Sequence, residues 1–228
     1  MQSGPLHERF LAEIAAERRR LSSRRGFLTG SAKLAGGGAL ALALAGGVRP
    51  LVGFAQDGSP VPAPASPFPD DIAILNYALT LEHLESTFYR EGLETFAADD
   101  FEDGVFDNLT LVAEHEAAHV DALTATITDL GGTPVTEAEY DFGYGDDPEA
   151  FLEVAAALEN TGVSAYDGAG QFIQNVDLLA VAGQIVAVEA RHASYLNFVN
   201  GEIPFPDAFE TPLSSDEVLA IAGPFIVS

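Results

Sequence analysis

"AEHEAAH", residues 113–119, sets two glutamates and two histidines within two helical turns, and the direction each one takes decides what this chain can be. The stretch lies inside an apolar repeat of Leu109, Val112, Glu116, His119, Leu123, Ile127 and Leu130, which follows the 3.6-residue period of an α-helix. On that period Glu116 and His119 share the apolar face, Glu114 takes the opposite face and His115 lies about 100° away. A carboxylate on a core stripe is costly unless it is paired or binds a metal. Glu116-x-x-His119 is therefore a candidate pair of metal ligands rather than a crowded polar turn.

The same spacing recurs at Glu189-x-x-His192, on a helix expected over about 176–199 with Leu178, Ala182, Ile185, Leu196 and Val199 on the same stripe. Two further helices carry one stripe glutamate each, followed seven residues later by tyrosine. They are Glu82 with Tyr89, on a helix expected from Asp71 to Glu91 and stopped by Gly92, and Glu159 with Tyr166, on a helix opened by Asp147-Pro148. The chain thus repeats itself: Glu-x6-Tyr, a turn, then Glu-x-x-His. In an antiparallel hairpin, residues equidistant from the turn lie level. The midpoint of 82 and 116 falls in "FAADDFEDG", and that of 159 and 189 in "IQNVD", so each glutamate pair meets at one height.

Short turns within each pair and a longer segment, 131–147, between the pairs imply an all-α fold, an antiparallel four-helix bundle. Ser214-x-x-Glu217 is a capping box for a short C-terminal helix that Gly223-Pro224 closes. Four glutamates and two histidines converging in such a core form the ligand set of a carboxylate-bridged dinuclear metal site. Imidazole with hard oxygen donors suits iron or manganese. Glu85, one turn after Glu82, is the rival on the first helix, while His83 points away from the stripe.

On these residues the chain resembles the ferritin-like superfamily, and within it the exported ferritin-like domain proteins, over about 70–200. The resemblance implies that Glu82, Glu116, His119, Glu159, Glu189 and His192 bind two Fe (or Mn) ions. It gives Tyr89 and Tyr166 a catalytic supporting role as hydrogen-bond partners of the carboxylates. It further implies redox chemistry with oxygen or peroxide. A dimanganese catalase-like enzyme and a non-enzymatic envelope or stress-protection protein are the alternative readings, and self-association into a homo-oligomer stays open.

The absence of cysteine excludes disulfides, thiolate metal sites and thiol nucleophiles. Residues 1–55 read as a twin-arginine export signal: Arg24-Arg25-Gly26-Phe27-Leu28, a short Ala/Gly/Leu stretch, then small residues before a cut after Ala55. A retained membrane anchor is the alternative, against which stands an apolar run shorter than the roughly 20 residues a bilayer needs. Residues 56–70 form a proline-rich linker, and 71–228 the bundle domain. After such a cut only Arg90 and Arg191 would face 32 acidic residues, a net charge of −30. That charge argues against nucleic acid and anionic membranes as partners, and suits a salt-loving cell, where a Debye length of roughly 3 Å at 1 M screens the self-repulsion. The protein is expected outside the cytoplasm, at the cell surface, in the periplasm or in the medium.

Overall fold

In the computed structural model, residues 65–227 are described; the expected export signal and most of the linker lie outside them. The bundle belongs to the compact unit that begins its continuous run at Pro67. It contains α1 (Asp71–Thr95), α2 (Val105–Asp129), α3 (Pro148–Gly170), α4 (Val176–Val199) and a short α5 (Ser215–Ala222). Among the described residues there is no strand, only an isolated bridge between Tyr140 and Ile226. No described helix is long and apolar enough to cross a membrane.

The helix ends follow local chemistry. The Asp70 side chain accepts the Ala73 N–H at 2.8 Å and caps α1, and Asp147 accepts from Glu149 and Ala150 to cap α3. Both α2 and α4 finish in the same six-residue closure. Gly131 and Gly201 turn with φ of 79° and 80°, and the next N–H reaches back to Ile127 O at 2.9 Å or Asn197 O at 2.8 Å. These bonds satisfy carbonyls that the helix end would otherwise orphan. Ser214 and Glu217 cap α5 reciprocally, as expected.

One boundary differs from the sequence expectation. α1 does not stop at Gly92 but continues to Thr95. Gly92 serves packing instead of termination: a Cβ there would lie 2.1 Å from Cε2 of Phe151, whose ring stacks on Phe88 with centroids 4.6 Å apart. The start of α3 is thereby seated on the end of α1.

The 131–147 segment is a crossover along α1. Asn76 bonds Thr133 O and the Val135 N–H, His83 Nε2 lies 3.3 Å from Val135 O, and Arg90 pairs with Glu137 at 2.6 Å. These three α1 residues are seven apart, so the segment climbs roughly 20 Å of helix before α3 begins. α3 therefore runs antiparallel to α1 and parallel to α2, with α1 packed on α2 and α3 on α4. The C-terminal segment lies on α3, where Leu213 N–H donates to Ser164 O at 3.1 Å, and its backbone occupies the space a Cβ of Gly168 would need.

Two apolar clusters fill the interior. One is rich in aromatics, with Phe88, Tyr89, Phe142 and Phe151; the other holds Leu75, Leu79, Leu123, Ile127 and Ile185. Between them lies a layer of buried carboxylates.

Candidate metal centre

Each long helix contributes one glutamate to that layer, and Glu82, Glu116, Glu159 and Glu189 are all 0% exposed. Helical spacing brings His119 and His192 in from the turn after Glu116 and Glu189, both buried. The Nδ1 atom of His119 lies 3.2 Å from Glu82 Oε2, 3.2 Å from Glu116 Oε2 and 3.0 Å from Glu189 Oε1. The Nδ1 atom of His192 lies 3.0 Å from Glu116 Oε1 and 3.3 Å from Glu159 Oε2.

These contacts resolve into two overlapping groups. Glu82, Glu116, His119 and Glu189 bring ligand atoms within 4.8 Å of one another, and so do Glu116, Glu159, Glu189 and His192. Glu116 and Glu189 belong to both groups. The donor set suits metal binding on a further count: Glu82 Oε2, Glu116 Oε1, Glu159 Oε2, both Glu189 oxygens and His192 Nδ1 are buried without an aligned hydrogen bond. They crowd around the two histidine nitrogens at 3.0–3.3 Å without aligned hydrogen bonds, an arrangement that is expensive unless a cation sits among them.

The tyrosines act across the hairpins. Tyr89 on α1 donates to Glu159 Oε1 at 2.7 Å, and Tyr166 on α3 donates to Glu82 Oε1. Each bond occupies one oxygen and leaves Oε2 turned toward the histidine of the same group. Burial, and then the charge of the bonded carboxylate, raises both phenols well above their ordinary range, so they remain donors.

The ferritin-like domain family matches residues 70–202. The chain belongs to the ferritin-like domain family. It is also 27% identical over 180 residues to Protein rds1 of Schizosaccharomyces pombe, which covers 75% of this chain and 42% of that protein. The chain thus spans less than half the length of that relative. The family match runs from the α1 cap to just past the end of α4, and so contains every residue of the carboxylate layer.

The electrostatics of this ferritin-like core are those of a site that holds protons when no cation neutralises it. Burial pushes Glu82 and Glu159 up, against the close approach of His119 and His192 respectively. Glu189 is raised to about 8, by burial first and by the charge of Glu159 second. Glu116 moves the other way. Burial opposes its charged form, but the close approach of both histidines prevails and brings it to about 2. Burial also disfavours the charged imidazoles, yet the surrounding carboxylates lift His192 to about 10 and His119 to about 12. Metal binding requires neutral imidazole and so must expel these protons.

Two side chains outside the expected set also bear on the site. Glu85 is buried, but it joins neither group; Glu82 is the α1 carboxylate that does. Its Oε1 lies 2.9 Å from where Gly162 would carry a Cβ, so that glycine gives it room. Burial and the charge of Glu189 push it toward its neutral form. His115, a residue off the apolar stripe and exposed, places Nδ1 2.9 Å from Nε2 of His192, with the two ring planes 8° apart and their centroids separated by 5.2 Å. Periodicity alone could not reveal this, because the partner sits on α4. Of the two arginines in the bundle, Arg90 pairs with the half-exposed Glu137 on the crossover and Arg191 is exposed.

Proposed function

We propose that the carboxylate layer is a dinuclear metal centre: Glu82, Glu116, His119 and Glu189 would hold one ion and Glu116, Glu159, Glu189 and His192 the other, with Glu116 and Glu189 common to both. The overlap of the two groups at Glu116 and Glu189 carries this reading. Six donors of carboxylate and imidazole type suit iron or manganese, and we assign iron as the working metal. When bound, two ferrous ions supply one electron each, enough to reduce peroxide to water with two protons taken from solvent.

The chain's own contribution is positioning and exclusion. Tyr89 and Tyr166 pin Glu159 and Glu82 so that one oxygen of each faces inward, and their own hydroxyl protons stay in place. The two apolar clusters close the layer from both ends of the bundle and keep bulk water from the carboxylates. In that low-dielectric setting the charge of a bound cation is compensated almost wholly by these side chains.

The biological setting proposed with it is an exported protein of a high-salt environment that handles iron or scavenges peroxide outside the cytoplasm. The twin-arginine pattern at Arg24-Arg25 and the acidic composition support this. Loading the metal-free protein with Fe(II) anaerobically and then adding peroxide tests the chemistry. Stoichiometric peroxide loss with oxidation of the iron supports it; oxygen release with Mn(II) and inertness with Fe(II) would replace it with catalase-like chemistry.

A further inference from the structure

The internal repeat is broken at a place that touches one of the site histidines. The residue before Glu116 is His115, and the residue at the matching place before Glu189 is Val188. His115 reaches across from α2 to α4 and meets the outer ring nitrogen of His192 at 2.9 Å, the two ring planes only 8° apart. By the repeat, Val188 occupies the equivalent place on α4 relative to His119 and has no polar side-chain atom to offer. Among the described residues no protein group hydrogen-bonds Nε2 of His119, whose side chain is 11% exposed against 6% for His192.

A histidine whose inner nitrogen faces a metal must keep its proton on the outer one. A fixed acceptor for that proton locks the tautomer, orients the ring and makes the inner nitrogen a stronger donor. His192 has such an acceptor in His115 Nδ1; His119 has only solvent. We propose that the two metal positions are unequal, the one completed by Glu159 and His192 being the tighter, with His115 as the positioning residue that makes it so. This rests on the dinuclear reading above. Loss of an outer partner of this kind costs about 10–100-fold in metal affinity, which sets the expected gap between the positions. The position completed by Glu82 and His119 is then the one through which metal exchanges with solution.

Equilibrium titration of the metal-free protein with Co(II), followed by its visible absorption in molar salt, tests this. The wild type should fill in two steps about 10–100-fold apart. His115→Leu should weaken the first step by about that factor, bring the steps together and leave helicity unchanged, since His115 is a surface residue. His115→Asn, whose Oδ1 can stand where Nδ1 stood, should restore the gap, and Val188→His should tighten the second step. In 15N-histidine NMR spectra of the metal-loaded protein, His192 should show its Nε2 proton locked in the wild type and in His115→Asn but not in His115→Leu. Two equal steps in the wild type, or equal weakening of both by His115→Leu, would overturn the proposal while leaving the dinuclear centre intact. No Co(II) bound at all would remove the centre itself, and this inference with it.

Discussion

The α1–α2 and α3–α4 hairpins present the same side chains to the centre of the bundle and different ones around it. Three residues beyond the first glutamate stands Glu85 in one hairpin and Gly162 in the other, and the glutamate fills the room the glycine leaves. One residue before the second glutamate stands His115 in one and Val188 in the other. The inner contacts, by contrast, are reciprocal, with each tyrosine bonded to the glutamate of the opposite hairpin. Matched inner positions make a two-fold site, and unmatched outer ones make its halves distinguishable.

The largest effects should separate shared from unshared carboxylates. Glu116→Ala or Glu189→Ala removes a side chain common to both groups and should abolish binding of both metals, whereas Glu82→Ala or Glu159→Ala should leave one. Metal content after gel filtration distinguishes the outcomes; equal loss from all four variants would break the division into shared and unshared positions.

Next in size come the tyrosines. Tyr89→Phe and Tyr166→Phe each remove one hydrogen bond to a buried carboxyl, and each should cost about 1.5–3 kcal/mol in chemical denaturation. A marked inequality between the two would extend the asymmetry of the hairpins inward to the carboxylates themselves.

The pH response should be smaller and should distinguish metal-free from loaded protein. Glu189, raised to about 8 in the folded state, contributes stability that is complete below its ordinary value near 4.5 and lost as pH rises through about 8. His192, raised to about 10, loses its contribution in the same direction, above its ordinary 6.5 and through about 10. The opposing effect of Glu116, lowered to about 2, acts between that value and 4.5. The melting temperature of the metal-free protein should therefore fall as pH rises from about 5 to about 9. The loaded protein should not follow, because the cation replaces the protons. Parallel curves would mean that the carboxylate layer does not receive a cation.

Smallest of all, Glu114→Ala and Arg90→Ala alter exposed groups, and each should change stability by less than about 1 kcal/mol without touching metal content.

The inner half of this comparison was legible in the sequence because helical period, turn position and a repeated Glu-x-x-His all constrain the same few residues. The outer half was not. The crossover at 131–147 has no periodicity of its own, and its course along α1 is set by Asn76, His83 and Arg90, residues that look like ordinary surface groups. Gly92 read as a helix stop because its real role, admitting the Phe151 ring, depends on a residue 59 positions away. His115 lies off the stripe, and a contact between α2 and α4 leaves no mark in either helix alone.

Elemental analysis of protein isolated from its own host, or refolded in molar salt with Fe(II) or Mn(II), tests the central claim most directly. The account predicts two ions of iron or manganese per chain, lost on replacement of Glu116 and retained on replacement of Glu114. A metal-free protein of undiminished stability, binding neither metal at the carboxylate layer, would contradict it.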